Sequence, residues 1–194
     1  MWNAIVMALL WVPWMAALVV SPTSRTFAWW TRLWARITLA GIGVRVQVQR
    51  PVSWPPEGAV VYVANHQAML DVPVAALGIG APFVYVARSE LRRLPLVAGL
   101  LRQSLSVFIE RDAPRAALSA LAEAGGRLRG GHSVLFYPEG TRSYGGALGA
   151  FNSGGFRLAE REGVPVVPIA IEGAWRVLNE QTRMGRPGVV TVCV

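Results

Sequence analysis

The sequence predicts one α/β domain in which a largely parallel, mixed sheet is flanked by helices. Short apolar runs alternate along the chain with longer stretches of helical periodicity, which is the pattern of that fold class. The length of 194 residues suits one compact domain with a short appendage. Since 53% of the residues are hydrophobic and only 15% are charged, a disordered chain is excluded.

Strands and helices are predicted in alternation after a glycine-rich break at residues 41–43. Val44, Val46 and Val48 alternate with polar residues, which predicts a half-buried strand. The other strands are predicted near 59–64, 83–87, 105–109, 133–137 and 165–171. The helices are predicted near 70–78, 90–101, 113–129 and 153–162. The final residues, 189–194, are typical of an unfinished strand, so we expect the chain to continue at its C-terminus.

Residues 1–40 are predicted to be membrane-anchoring helices that precede the α/β domain over 41–194. Residues 1–20 carry no charged side chain, and about 20 apolar residues can cross a bilayer. Pro13 and the early tryptophans weaken a simple spanning helix, because tryptophan prefers the membrane interface. A spanning segment and a half-inserted segment therefore both stay open.

The segment 25–37 predicts a basic amphipathic helix. Its apolar residues recur at helical spacing, and its arginines share another face. The apolar stripe is Trp30, Leu33, Trp34 and Ile37, and the arginines are Arg25, Arg32 and Arg36. Such a helix can lie in the headgroup region of an anionic membrane, although the stripe could instead pack on the protein's own core. By the positive-inside rule, we expect the α/β domain to face the cytoplasm at the cytoplasmic membrane.

The charge balance indicates an anionic partner. The net charge is +8, and all 19 basic residues are arginines. Nucleic acid is disfavoured, because the positive charge is scattered and the aromatic residues concentrate in the N-terminal segment. One cysteine and two histidines exclude a disulfide framework, a cysteine-rich zinc site and most sites with several histidines, so no metal is expected.

Unusual polar residues follow four of the predicted strands. These segments are 65–71, Glu110-Arg111, 138–143 and Glu172-Gly173. Ligands of open α/β sheets collect beyond the carboxyl ends of the strands, so these segments predict one site for an anionic substrate. Each segment also has a simpler explanation, since Asp71 could cap a helix and the arginines could be solvated.

His66 and Asp71 stand in a His-x4-Asp pattern, which can form a dyad whose carboxylate orients the imidazole. The chain has no Gly-x-Ser-x-Gly motif, and Cys193 is remote in sequence. A base without a protein nucleophile most simply activates a hydroxyl of the substrate. Such help is worth roughly 10² to 10⁴ in rate.

Over residues 58–173, the chain resembles the 1-acylglycerol-3-phosphate acyltransferase family of the glycerolipid acyltransferase superfamily. The segments that carry the resemblance are Asn65-His66-x4-Asp71, 108–111, 136–143 and 164–169. The resemblance implies a glycerol-3-phosphate acyltransferase-like fold preceded by hydrophobic helices. It implies transfer of a fatty acyl group from acyl-CoA or acyl carrier protein to the sn-2 hydroxyl of lysophosphatidate, giving phosphatidate without a bound cofactor.

The same resemblance implies a role for each matching residue. His66 would be the general base and Asp71 would orient it. Arg111 and Arg142 would hold the acceptor phosphate. The acceptor site would be shaped by Glu139, Gly140 and Thr141. Pro168 would help to form the acyl-side pocket. Paired guanidinium N–H groups suit phosphate oxygens, which agrees with the arginine roles.

One departure keeps alternatives open. The family often has Phe-Lys-Lys-Gly where this chain has 151–154, Phe-Asn-Ser-Gly, so two positive charges are absent. Another acceptor on the same scaffold therefore stays possible, such as a lyso-ornithine lipid, another lysophospholipid or glycerol 3-phosphate. A hypothesis of another class is a non-catalytic membrane-binding protein.

Overall fold

The protein is described by a computed structural model. The structure describes residues 24–94, 98–99, 101–102, 104–110, 113–179 and 184–194. The apolar run predicted over residues 1–20 lies outside the described residues.

A seven-stranded sheet forms the centre of the domain. Its strands are β1 (Val44–Gln49), β2 (Val61–Ala64), β3 (Val84–Arg88), β4 (Val107–Ile109), β5 (Val134–Phe136), β6 (Val166–Glu172) and β9 (Gly188–Cys193). The spatial order is β1-β9-β6-β2-β5-β3-β4, and every neighbouring pair is parallel except β6 with β9. The predicted mixed, largely parallel sheet is therefore confirmed. A separate antiparallel pair, β7 (Leu178–Asn179) with β8 (Met184–Gly185), was not predicted.

Helices cover both faces of the sheet. They are α1 (Ser24–Ile42), α2 (Asp71–Ile79), α3 (Pro114–Arg129), α4 (Gly154–Glu162) and the short α5 (Ala174–Val177). One core contains apolar side chains of α1 and α2, and the other contains those of α3 and α4. This arrangement confirms the prediction of a sheet flanked by helices.

Strand β2 lies at the centre of both cores. All four of its residues are buried, as a continuous apolar run in a parallel sheet predicts. Tyr62 and Ala64 point into the core with α1 and α2, while Val61 and Val63 point into the core with α3 and α4. The residue that follows this anchored strand, Asn65, begins the polar segment of interest.

The helix predicted over 90–101 is wrong at its start. Residues Ser89–Arg93 form a 3₁₀ helix, and Leu94 then adopts an extended backbone. The physical reason is Pro95, because the residue before a proline is disfavoured in the α conformation. Helical conformation returns at 98–99 and 101–102.

Helix α1 divides the predicted apolar stripe between two environments. Trp34 is buried and packs with Ala35 of α1 and Ala76 of helix α2, so part of the stripe belongs to the protein's core. Ile37 is 41% exposed, and the neighbouring Trp29 is 52% exposed. Among the described residues, no helix combines the length and apolar character that a membrane crossing requires.

The contact between α2 and β9 leaves no room for a side chain at Gly78. A Cβ atom there would lie 2.5 Å from Cγ1 of Val192. We expect Gly78→Ala to lower the free energy of unfolding by about 1–3 kcal/mol through overpacking, as measured by urea denaturation.

Gly126 provides the matched control, because it is exposed in helix α3 and its Cβ would meet nothing closer than 3.9 Å. Gly126→Ala should raise the free energy of unfolding by about 0.5–1 kcal/mol, since alanine favours a helix. Equal effects of the two substitutions would contradict this packing.

Candidate active site

The carboxyl ends of neighbouring parallel strands bring the predicted segments together. Strand β2 lies between β5 and β6, and the three run in the same direction. The segment after β2 contains His66, and the segment after β5 contains Glu139. These segments therefore meet at one edge of the sheet, as the rule for open α/β sheets predicts.

A short hydrogen bond joins the two members of the predicted dyad. The Nδ1 atom of His66 lies 2.7 Å from Oδ2 of Asp71. An ionised carboxylate can only accept a hydrogen bond, so Nδ1 is the donor, and in the neutral imidazole the lone pair then lies on Nε2. The His66 side chain is 17% exposed, whereas that of Asp71 is fully buried. This geometry suits a general base oriented by a carboxylate.

Three donors converge on one oxygen of Asp71. Its Oδ2 atom also accepts the backbone N–H groups of Gln67, at 2.5 Å, and Ala68, at 2.9 Å. The other oxygen, Oδ1, is buried and accepts no hydrogen bond from the described residues. Burial raises the pKa of the Asp71 carboxyl above its ordinary value, while the His66 ring and the two N–H groups oppose that rise.

The position of Asp71 argues against a simple capping role. Helix α2 begins at Asp71, and its N-cap residue is Leu70, which makes no side-chain capping bond. The Asp71 carboxylate instead binds the loop before the helix, at Gln67 and Ala68. It therefore closes the 66–71 loop on itself and holds His66 at the loop's start.

Glu139 supports the same loop from the neighbouring strand. Its Oε1 atom accepts the backbone N–H of His66 at 2.7 Å, and its Oε2 atom accepts the N–H of Gly149 at 2.8 Å. The N–H of Ser143 donates to the carbonyl of His66 at 2.8 Å. Glu139 thus shapes the site by joining two loops at the backbone of the histidine.

The rest of the 138–143 segment forms one wall of the site. Gly140 is buried with a φ of +74°, a conformation that favours glycine. Thr141 is exposed, and the guanidinium carbon of Arg142 lies 5.1 Å from the ring centroid of Tyr144. Arg88, at the end of β3, approaches the carbonyl of Gly140 with its Nη2 atom 3.5 Å away.

Two further residues hold the dyad segment in place, one through the histidine ring and the other through strand β6. The ring of Tyr137 stacks on the imidazole of His66, with centroids 4.2 Å apart and planes 24° apart. Asn65 uses both amide atoms on the backbone of Ile171 in β6, donating to its carbonyl at 2.8 Å and accepting its N–H at 2.7 Å. Both residues lie within the motifs that carry the family resemblance, but neither has a predicted role, because only the strand order makes them neighbours of the dyad or of β6.

The remaining predicted residues lie apart from the dyad or outside the description. Arg111 lies outside the described residues, so its predicted role stays a prediction. Pro168 is an exposed residue of β6 in register with Val63 of β2. The pairing of β9 with β6 covers only Ala170–Glu172, so Pro168 lies where β6 has a single neighbour, a position that tolerates proline.

No metal site is found within the described part of the chain. Its His, Cys, Asp and Glu side chains form no group of three or more that could hold an ion. The expectation of a site without metal stays a prediction.

The mixed, largely parallel sheet carries at its carboxyl edge a 17%-exposed histidine bound to a buried aspartate, beside the Pro-Glu-Gly-Thr-Arg loop, an arrangement that suits an acyltransferase. The family model Acyltransferase matches residues 45–172, and the chain belongs to this family. The resemblance seen in the sequence is therefore confirmed.

The relatives of the chain are named for one activity. It is 32% identical over 148 residues to the chloroplastic 1-acyl-sn-glycerol-3-phosphate acyltransferase LPAT1 of Arabidopsis thaliana, covering 76% of this chain and 41% of the relative. It is 34% identical over 142 residues to the 1-acyl-sn-glycerol-3-phosphate acyltransferase of Pseudomonas aeruginosa, covering 73% of this chain and 54% of the relative. The chain thus spans about half the length of the curated relatives it matches.

A solved structure shows the same fold. The crystal structure of the 1-acyl-sn-glycerophosphate acyltransferase PlsC from Thermotoga maritima superposes with a TM-score of 0.74 at 28% sequence identity. The match covers 87% of this chain and 68% of that chain. The part of this chain that matches the solved structure is longer than residues 45–172, the region that matches the family model.

The two bonds of Glu139 yield a stability prediction. In Glu139→Gln, the amide oxygen can still accept one of the two backbone N–H groups. The amide NH₂ group then faces the other N–H, and two donors cannot form a hydrogen bond. We expect the free energy of unfolding to fall by about 1–3 kcal/mol in urea denaturation, because a donor loses its charged acceptor.

Glu123→Gln is the control, since Glu123 pairs with Arg127 at 3.1 Å on the surface of α3. That change should stay within about 0.5 kcal/mol. Equal losses in the two variants would show that the Glu139 bonds do not hold the loop.

Proposed function

We propose that this chain transfers a fatty acyl group to the sn-2 hydroxyl of 1-acylglycerol-3-phosphate, giving phosphatidate in phospholipid biosynthesis. The observation that carries the proposal is the hydrogen bond between His66 Nδ1 and the buried Asp71 carboxylate, which leaves Nε2 available. The shared activity of the relatives supports this choice of reaction. Acyl-CoA or acyl carrier protein is the proposed donor.

The reaction needs one proton acceptor and no protein nucleophile. Nε2 of His66 takes the proton of the acceptor hydroxyl as its oxygen attacks the thioester carbonyl carbon. A carbon–oxygen bond forms, the carbon–sulfur bond breaks, and the thiolate that leaves receives the proton from the imidazolium. The buried charge of Asp71 stabilises that imidazolium while it exists.

Arginine side chains are the proposed binders of the acceptor phosphate. Arg142 lies on the wall formed by the 138–143 segment, whose Ser143 is bonded to the carbonyl of His66. Arg111 is assigned the same role from the family motif, and Arg88 reaches the same wall at Gly140. A planar guanidinium suits a phosphate group, so these residues would set the affinity for the acceptor.

The neutral residues at 152 and 153 bear on the choice of acceptor. Asn152 bonds twice to the carbonyl of Pro138, through its backbone N–H and its side-chain Nδ2, each at 2.9 Å. It therefore holds the loop after β5 in place. Since two positive charges that the family often has at 152 and 153 are absent, lysophosphatidate and the other acceptors are compared by experiment.

The protein is proposed to act at the cytoplasmic membrane, with its α/β domain on the cytoplasmic side. Trp29 and Ile37 lie on the outward side of α1, where Arg36 is also exposed. Arg32, by contrast, donates to the carbonyl of Gly80 at the end of α2. An outward surface of tryptophan, isoleucine and arginine suits the headgroup region of an anionic bilayer. Residues 1–40 are accordingly proposed as the anchoring part and 41–194 as the catalytic domain.

The first experiment tests the base. In detergent-purified full-length protein, His66→Ala should lower the lysophosphatidate-dependent release of thiol from acyl-CoA or acyl carrier protein by about 10² to 10⁴, because the proton acceptor is lost. His132→Ala should leave that rate within about twofold, since His132 follows helix α3 and lies before β5, at the opposite end of the strand from the site.

The same assay separates the candidate acceptors. Lysophosphatidate, glycerol 3-phosphate, another lysophospholipid and a lyso-ornithine lipid are supplied singly and then in competition. Release that is greatest with an acceptor lacking phosphate would reject the proposed substrate. A His66→Ala protein with the parent's rate would reject the mechanism and favour a non-catalytic membrane protein.

The outward face of α1 predicts membrane affinity. Trp29→Ala combined with Ile37→Ala should lower the partition coefficient into phosphatidylglycerol vesicles by about tenfold in a flotation assay, because two interfacial side chains are truncated. Leu118→Ala is the control, since Leu118 is 65% exposed on α3. Equal partition of both variants would show that α1 is not the membrane contact.

A further inference from the structure

We infer that Tyr137 is a positioning residue for His66, an assignment that rests on the proposed function of His66 as base. Tyr137 follows β5 directly, and its ring stacks on the imidazole at a centroid distance of 4.2 Å and an interplanar angle of 24°. Nearly parallel stacking covers one face of the imidazole. The hydrogen bond to Asp71 fixes one edge of the same ring at Nδ1.

These two contacts restrain different motions of the histidine. A single hydrogen bond at Nδ1 still allows the ring to tilt about the line between Nδ1 and the carboxylate. The tyrosine face opposes that tilt, because tilting would drive the imidazole edge into the phenol ring. Nε2 is thereby held in one direction, which proton transfer requires since a small misplacement of a reacting atom lowers the rate.

The hydroxyl of Tyr137 holds the other member of the dyad. It donates to the backbone carbonyl of Asp71 at 3.2 Å. Burial raises the pKa of Tyr137 well above its ordinary value, and the nearby Asp71 adds to that rise, so the phenol stays protonated and able to donate. One side chain therefore contacts the ring of His66 and the backbone of Asp71.

Tyr85 offers a matched comparison within the same fold. Its side chain is buried, whereas that of Tyr137 is partly buried, and its hydroxyl donates to the next carbonyl of α2, that of Val72, at 2.9 Å. Its ring contacts Phe83, with centroids 4.7 Å apart, and not the imidazole. Substitution of either tyrosine removes a ring packed against the core and a hydrogen bond to the first turn of α2, but only the substitution of Tyr137 removes the stack on His66.

The first experiment measures the stack itself and needs no activity. The chain has two histidines, so the ring Hε1 protons of His66 and His132 give two NMR signals in ¹³C-histidine-labelled full-length protein. A phenol ring stacked on His66 should shift its Hε1 signal upfield of the His132 signal. The shift should persist in Tyr137→Phe and Tyr85→Leu and vanish in Tyr137→Leu. A parent protein without the upfield shift would overturn the inference.

The second experiment measures what the stack does. Tyr137→Leu should lower kcat about tenfold and leave the KM for lysophosphatidate within about twofold, because the stack orients the base and does not bind the acceptor. Tyr137→Phe should restore kcat to within about threefold of the parent. Tyr85→Leu should lose thermal stability without the tenfold loss in kcat.

The outcomes separate this inference from the proposed function. If His66→Ala is inactive but Tyr137→Leu keeps the parent's kcat, the inference fails while the proposed function stands. Equal losses of kcat in Tyr137→Leu and Tyr85→Leu would also overturn it, since both would then act through stability. If His66→Ala keeps full activity, the proposed function fails, while the NMR shift still reports whether the stack exists.

Discussion

The buried carboxylate of Asp71 is the interaction on which the rest of the site depends. One of its oxygens accepts hydrogen bonds from the His66 ring and from two backbone N–H groups of the same loop. A carboxylate without these donors would be costly to bury, because a charge is removed from water. The Asp71 carboxylate therefore fixes both the conformation of the loop and the orientation of the histidine, so both would be lost without it.

The neighbouring strands serve this arrangement by fixing the loop from outside. Glu139, after β5, binds the backbone of His66, and Asn65 binds the backbone of β6. Because backbone groups are the partners, the identity of the intervening side chains matters less than the register of the strands. The Pro-Glu-Gly-Thr-Arg loop thus has a structural part, in Glu139 and Gly140, followed by the exposed Thr141 and the half-buried Arg142.

Helix α1 packs on the helix that carries the dyad aspartate and also has an exposed apolar side. Its buried side packs Trp34 against α2, the helix that begins with Asp71. Its outward side keeps Trp29 and Ile37 exposed. Since one helix has apolar residues on both sides, the periodicity of the sequence could not say which of them face the core. The packing of α1 on α2 decides that question.

The sequence by itself determined the fold class and the identity of the dyad. Alternating apolar runs and helical stretches are local properties, and the pattern around His66 and Asp71 is a local motif, so both can be read along the chain. The prediction of a helix over 90–101 was wrong at its start, because the residue before Pro95 is disfavoured in the α conformation although the apolar periodicity favours a helix.

The sequence predicted that the 138–143 segment meets the dyad, but only the tertiary structure decided which of its side chains contact the dyad. The spatial order β6-β2-β5 places Tyr137 beside His66 and Glu139 beneath its backbone, although both lie more than one helix away along the chain. That order depends on pairing between strands distant in sequence and on two cores packing together. No periodicity reports such contacts, because they arise from the chain's packing in three dimensions.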